Sequence, residues 1–273
     1  MDTVSAGIYY KVYGAGTPLL MLHGNAGSHR EFLSYAKKLS DSYQVILMDS
    51  RGHGRSRLKR RAETSEFTVA DMADDVRRLM NTLRLDKGFL LGFSDGANTA
   101  LEFAARYPGR TLGVIAVSGN ALPGGLWTPL YLLTFMKYHI SGFLRRLFPE
   151  NRLGKHLIKS RMLSGLMLNS PALTKERLAQ IKAPVLLIAG TLDVVKVSHT
   201  KWMAEQIPNS HLKLITGGTH GSFFYKKEQQ RYLTYIKSFL SKALSTLKSN
   251  TSLPKPARAW YNIHESHEQC GKT

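Results

Sequence analysis

Cysteine is nearly missing. The single thiol in 273 residues is Cys270, close to the end. No intrachain disulfide can form, so the fold rests on packing, and one thiol at that place makes a poor nucleophile. Such usage suits a reducing cytoplasm, where the chain is expected to work. Acid is also scarce: 19 Asp+Glu stand against 38 Lys+Arg, a formal charge of +19. The deficit is uneven, because residues 121–182 hold ten cations and only Glu150 and Glu176. That field would draw nucleic acid, anionic lipid or acidic substrates, or would simply keep the surface solvated. Long apolar runs are absent as well. The most apolar window, Leu126 to Phe148, is broken by Lys137, His139, Arg145 and Arg146, whereas a spanning helix needs about 20 nearly uncharged residues. The opening MDTVSAGIYYKVYGAG has no basic head before an apolar stretch, so no secretory signal is expected. No internal period marks a repeat protein.

What is present is 43% hydrophobic content, enough for one large α/β domain or two small ones. Short apolar runs alternate with longer amphipathic ones, the pattern of strand–helix units on a parallel sheet. Strands are expected at Gly7 to Tyr13, Pro18 to Leu22, Gln44 to Met48, Phe89 to Phe93, Leu112 to Val117, Pro184 to Ala189 and His211 to Ile215. Buried parallel strands read as such nearly continuous apolar runs. Thr68 to Leu83 carries Val69, Met72, Val76, Leu79, Met80 and Leu83 at helical spacing, with Thr68 as N-cap. Ala97 to Arg106, Val197 to Ile207 and Lys226 to Leu247 read as helices too. Residues 121–182 interrupt the alternation and read as a helical cap inserted into a core of residues 1–120 and 183–248; from 249 to 273 the period is lost and a mobile tail is expected.

Gly92-Phe93-Ser94-Asp95-Gly96 is a G-x-S-x-G sequence with an apolar strand before it and a helix pattern after it. A serine on so tight a turn leaves no room for side chains two positions either side, and the following helix turns its N-terminal N–H groups toward the site. A serine hydroxyl is a weak nucleophile alone; it needs an imidazole oriented by a carboxylate, later in the chain and at strand ends. Asp193 follows the strand at Pro184 to Ala189, and His220 follows the strand at His211 to Ile215, between glycines that clear its path. The expected triad is Ser94, Asp193 and His220. The oxyanion would be held by the backbone N–H groups of Asn25, in the loop His23-Gly24-Asn25-Ala26-Gly27, and of Asp95. His23 is expected to hydrogen-bond beneath that loop, and the Asp95 carboxylate to sit favourably at a helix N-terminus.

These motifs, together with Asp49-Ser50-Arg51-Gly52-His53-Gly54-Arg55-Ser56, resemble the α/β-hydrolase superfamily over roughly residues 7–245. The resemblance implies a mostly parallel central sheet, helices on both faces and a cap inserted after the strand ending near Val117. Some members carry the acid after that earlier strand, but Ser118-Gly119-Asn120 offers no carboxylate. A serine at position 94 also separates the chain from family members with an aspartate nucleophile. The elbow and "FAARYPGRTLGVIAVSGNA" are similar to valacyclovirase-like (biphenyl hydrolase-like) esterases. That likeness implies an acidic cap residue for a substrate ammonium, from which this acid-poor cap departs.

The expected activity is hydrolysis of a small-molecule carboxylic ester through an acyl-enzyme, chemistry that asks for no cofactor. An acyltransferase or a carbon–carbon bond hydrolase would use the same triad, and a non-catalytic module would use the basic cap and tail for anionic partners. Arg51 to Arg61 holds six cations; without aromatic interleaving or a recognition helix it reads as the family loop RGHGRS followed by a solvated basic edge, and nucleic acid is not expected as a partner. His139, His156, His199 and His211 show no metal-ligand spacing. Leu126 to Phe148 reads as the roof of a substrate pocket, or as an amphipathic helix in weak contact with an anionic membrane surface.

Overall fold

The computed structural model describes residues 4–5, 7–56, 66–148 and 152–250. All seven expected apolar runs are strands. β1 (Val4–Ser5) pairs antiparallel with β2 (Ile8–Tyr13), and β2 pairs antiparallel with β4 (Tyr43–Met48). From there β4, β3 (Thr17–Leu22), β5 (Gly88–Phe93), β6 (Thr111–Val117), β7 (Val185–Leu192) and β8 (Ser210–Thr219) run parallel, in the spatial order β1-β2-β4-β3-β5-β6-β7-β8. Strand order reverses between β3 and β5, and in open α/β sheets that switch point opens a crevice at the carboxyl edge.

The runs of β3, β4, β5, β6 and β7 are nearly continuously apolar because both sheet faces are covered there. Leu20, Leu22, Leu90, Val114 and Leu187 point to one side, where they pack with α2 (Val69–Thr82), α3 (Asp95–Arg106), α6 (Lys175–Ala179) and α7 (Val197–Gln206). Leu19, Met21, Leu91, Ile115 and Ile188 point to the other, toward α1 (Leu33–Leu39) and α8 (Gln229–Asn250). Each such fully buried side chain contributes about 1.5–3 kcal/mol. α2 begins as expected: Thr68 Oγ1 accepts the Asp71 N–H while Asp71 Oδ2 accepts the Thr68 N–H. Between β6 and β7 lie α4 (Thr128–Leu147), α5 (Arg152–Asn169) and α6.

Two expectations need adjusting. β7 and β8 run on to Leu192 and Thr219, so the turns placed at Gly190 and Gly217 are strand. Backbone contact is part of the reason: a Cβ on Gly190 would stand 2.0 Å from the Gly218 carbonyl oxygen, so Gly190 and Gly218 serve strand-to-strand approach. α8 begins at Gln229, three residues later than expected. Residues 57–61 of the basic run and 251–273 of the expected tail lie outside the described residues. In the loop before the basic edge, the Arg51 guanidinium grips Asp75 at 2.6 and 2.8 Å and the Asp71 carbonyl at 2.9 Å.

Candidate active site

β3, β5, β6, β7 and β8 deliver their C-terminal residues to one edge of the sheet, and the expected site residues meet there. Ser94 joins β5 to α3 with φ 53° and ψ −121°, a region costing a non-glycine residue on the order of 1–3 kcal/mol. The turn is fixed by crowding. A Cβ on Gly92 would lie 2.2 Å from the Gly96 carbonyl oxygen, and one on Gly96 would lie 2.0 Å from that of Leu22.

His220 opens a 3₁₀ turn, His220–Phe224, capped by reciprocal Thr219 and Ser222 bonds. The turn is anchored by Phe223, whose ring stacks on Tyr35 at 4.4 Å and on Phe93 at 5.9 Å, and whose carbonyl accepts the Tyr35 hydroxyl. The imidazole thereby hangs over Phe93, ring centres 4.9 Å apart, with Nε2 3.2 Å from Ser94 Oγ and Nδ1 2.7 Å from Asp193 Oδ1. A carboxylate only accepts, so Nδ1 carries the proton and the Nε2 lone pair faces the serine hydroxyl.

The Asp193 side chain is fully buried. Burial alone would raise its pKa; the His220 hydrogen bond and charge, the Ser118 hydroxyl and the Val195 N–H outweigh burial and keep the carboxyl below its ordinary range. Ser118 donates to Asp193 Oδ2 at 2.6 Å and Val195 N–H to Oδ1 at 3.1 Å. Ser118 had no signal of its own in the sequence beyond its place after β6; its positive φ of 54° aims it across to the neighbouring strand.

The loop after β3 presses on the Ser94 turn: a Cβ on Gly24 would sit 3.1 Å from Ser94 Cβ. His23 lies beneath as a hydrogen-bonder, taking the Ser50 N–H at 2.9 Å. Among the described residues, the Asn25 and Asp95 backbone N–H groups find no acceptor. The Asp95 carboxylate does not cap its own helix. It is buried, and it accepts Asn25 Nδ2 at 2.8 Å and Asn98 Nδ2 at 3.2 Å. Burial pushes its pKa up, against those two donors and His220. Asn25 Nδ2 also reaches the Leu163 carbonyl of α5 at 3.0 Å, tying that helix to the loop. Among the described residues no group of three or more His, Cys, Asp or Glu is placed to hold a metal ion.

The chain is similar to the AB hydrolase superfamily protein YisY of Bacillus subtilis (strain 168), 28% identical over 81% of this chain and 91% of that one. Its fold is similar to a thermophilic esterase from Thermogutta terrifontis, with TM-score 0.69, 22% identity, and 86% and 93% of the two chains covered. It also matches the enol-lactonase from Burkholderia xenovorans LB400, with TM-score 0.68, 20% identity, and 86% and 96% covered. Residues 17–178 match the family model described as alpha/beta hydrolase fold. On that match, the motifs and the sheet order together, the chain belongs to the alpha/beta hydrolase family.

Proposed function

We propose that the protein is a serine hydrolase of carboxylic esters, with Ser94 as nucleophile, His220 as general base and acid, and Asp193 as its orienting carboxylate. One observation carries the reading: the Ser94–His220–Asp193 chain of 3.2 and 2.7 Å contacts in the proton order the chemistry requires. Ser94 Oγ attacks the ester carbonyl as its proton passes to His220 Nε2. The carbonyl oxygen becomes an oxyanion, received by the Asn25 and Asp95 N–H groups, each worth about 3–4 kcal/mol to the transition state. Collapse expels the alcohol, which takes the proton from Nε2 and leaves acyl-Ser94. Water, deprotonated by His220, then attacks the acyl carbon; the acid departs and Ser94 regains its proton.

Residues 121–182 act as a cap over a core made of residues 1–120 and 183–248, in a chain that works in the cytoplasm. The elbow's likeness to valacyclovirase-like esterases supports an ester substrate. The two acids among ten cations in that cap argue against an acyl group bearing an ammonium.

The test is a panel of p-nitrophenyl esters of increasing acyl length beside a lactone and an anilide, with fluorophosphonate labelling. Ester turnover and labelling at Ser94 are expected, both abolished in Ser94→Ala with unfolding unchanged. An alanine variant at the wild-type rate would overturn the mechanism; a panel turned over only at the lactone or the anilide would keep the triad and overturn the substrate class.

A further inference from the structure

Helix α4 is built inside out. Its buried side chains are Thr134 and Ser141, whereas Leu132, Met136, Ile140, Phe143 and Leu147 are between 53% and 62% exposed. At about 100° per residue those five fall within an arc of about 80°, with Thr134 and Ser141 on the opposite side. An ordinary surface helix does the reverse. The inward polar face is bonded in place: Ser141 Oγ meets Ser160 Oγ of α5 at 3.0 Å, and Arg161 lies over the Tyr138 ring at 4.0 Å while donating to its hydroxyl at 2.7 Å. The helix therefore holds its apolar stripe outward.

Charge names the occupant. Exposed Lys137 and Arg146 flank the stripe, about 60° beyond one margin and about 40° beyond the other. Arg152, Lys155 and Lys159 add exposed cations on α5, and neither α4 nor α5 contains an acid. A two-fold pairing of this face with a second copy would set Lys137 and Arg146 near their own equivalents with nothing acidic on either helix to offset them. We propose that this face seats on an anionic lipid surface, the stripe entering the acyl boundary and the cations meeting the headgroups. No helix among the described residues is long and apolar enough to cross a membrane, so the contact is peripheral. It also adjoins the candidate site. The Trp127 N–H leading into α4 bonds the Val194 carbonyl beside Asp193 at 2.7 Å, and α5 holds Asn25. The docking does not depend on the triad being active.

The test is co-sedimentation of the full chain with vesicles of phosphatidylcholine alone or with added phosphatidylglycerol, at low and high salt. Binding to the anionic vesicles only, weakened by salt, is expected. Removing two charges in Lys137→Gln/Arg146→Gln should weaken it about 25-fold, at about five-fold per cation. Met136→Asp/Phe143→Asp should remove it while circular dichroism and elution volume stay those of the wild type. Three results would overturn the proposal: a wild-type chain left in the supernatant at low salt, an apolar-face variant that binds undiminished, or a dimer that the same variant splits without changing vesicle binding.

Discussion

Replacing His23 with glutamine should flatten the acid side of the stability curve. His23 is 1% exposed. Its Nε2 accepts the Ser50 N–H at 2.9 Å, so its Nδ1, 2.8 Å from the Gly24 carbonyl oxygen, must be the donor. The ring is locked in one neutral form, and protonating Nε2 would break the Ser50 bond. Burial first, then the neighbouring His53, lowers its pKa from 6.5 to about 4. The unfolded chain therefore takes up a proton near the ordinary value while the folded chain resists until about 4. Stability is present above the upper value and is lost as pH falls through the window, with a slope approaching about 1.4 kcal/mol per unit. Going from about pH 7 to about pH 5 removes about 2 kcal/mol through this residue alone. Glutamine places an uncharged acceptor where Nε2 stood, and it cannot titrate there. Urea unfolding followed by tryptophan fluorescence at both pH values measures the difference: the wild type should lose about 2 kcal/mol more than His23→Gln on acidification. Equal losses in the two proteins would refute the locked-tautomer argument.

Further outcomes follow from the same contacts. Ser118→Ala removes a hydrogen bond to an ionised carboxylate worth about 1.5–3 kcal/mol; kcat on a p-nitrophenyl ester should fall at least about tenfold with KM unchanged, and an unaltered kcat would deny Ser118 a positioning role. Gly96→Ala sets a Cβ against the Leu22 carbonyl oxygen and should cost about 3 kcal/mol or more, read as a lowered Tm. Arg51→Met leaves Asp75, which is 5% exposed, without its bidentate partner, and should cost about 3 kcal/mol by urea midpoint.

The strands were legible because a parallel strand buried on both faces has no polar alternation to confuse it with a surface helix. The elbow was legible because tight turns impose glycine locally. What stayed hidden depends on distant partners. α1 is a seven-residue stretch with two lysines in its last turn, too short for a helical period to stand out. The ends of β7 and β8 looked like loops because Gly190 and Gly218 sit where two backbones touch. Asp95 is the helix-end carboxylate that the sequence indicated, but its partner Asn25, 70 positions away, was hidden. Ser118 was weighed only for a missing carboxylate, while its hydroxyl serves the carboxylate of the next strand. The Arg51 pairing with Asp75 left no local trace, because the two meet only after α2 docks.

Since Ser94, Asp193 and His220 sit at the ends of β5, β7 and β8, with the Asn25 loop at the end of β3, the proposed site belongs to no single portion of the chain. β8 is an edge strand and comes late in the sequence, so a molecule still waiting for it lacks the histidine that the proposed mechanism needs. Turnover then doubles as a census of completed sheets: when urea is added, loss of rate should track loss of the final crossover, and neither half of the polypeptide should work until the other is supplied.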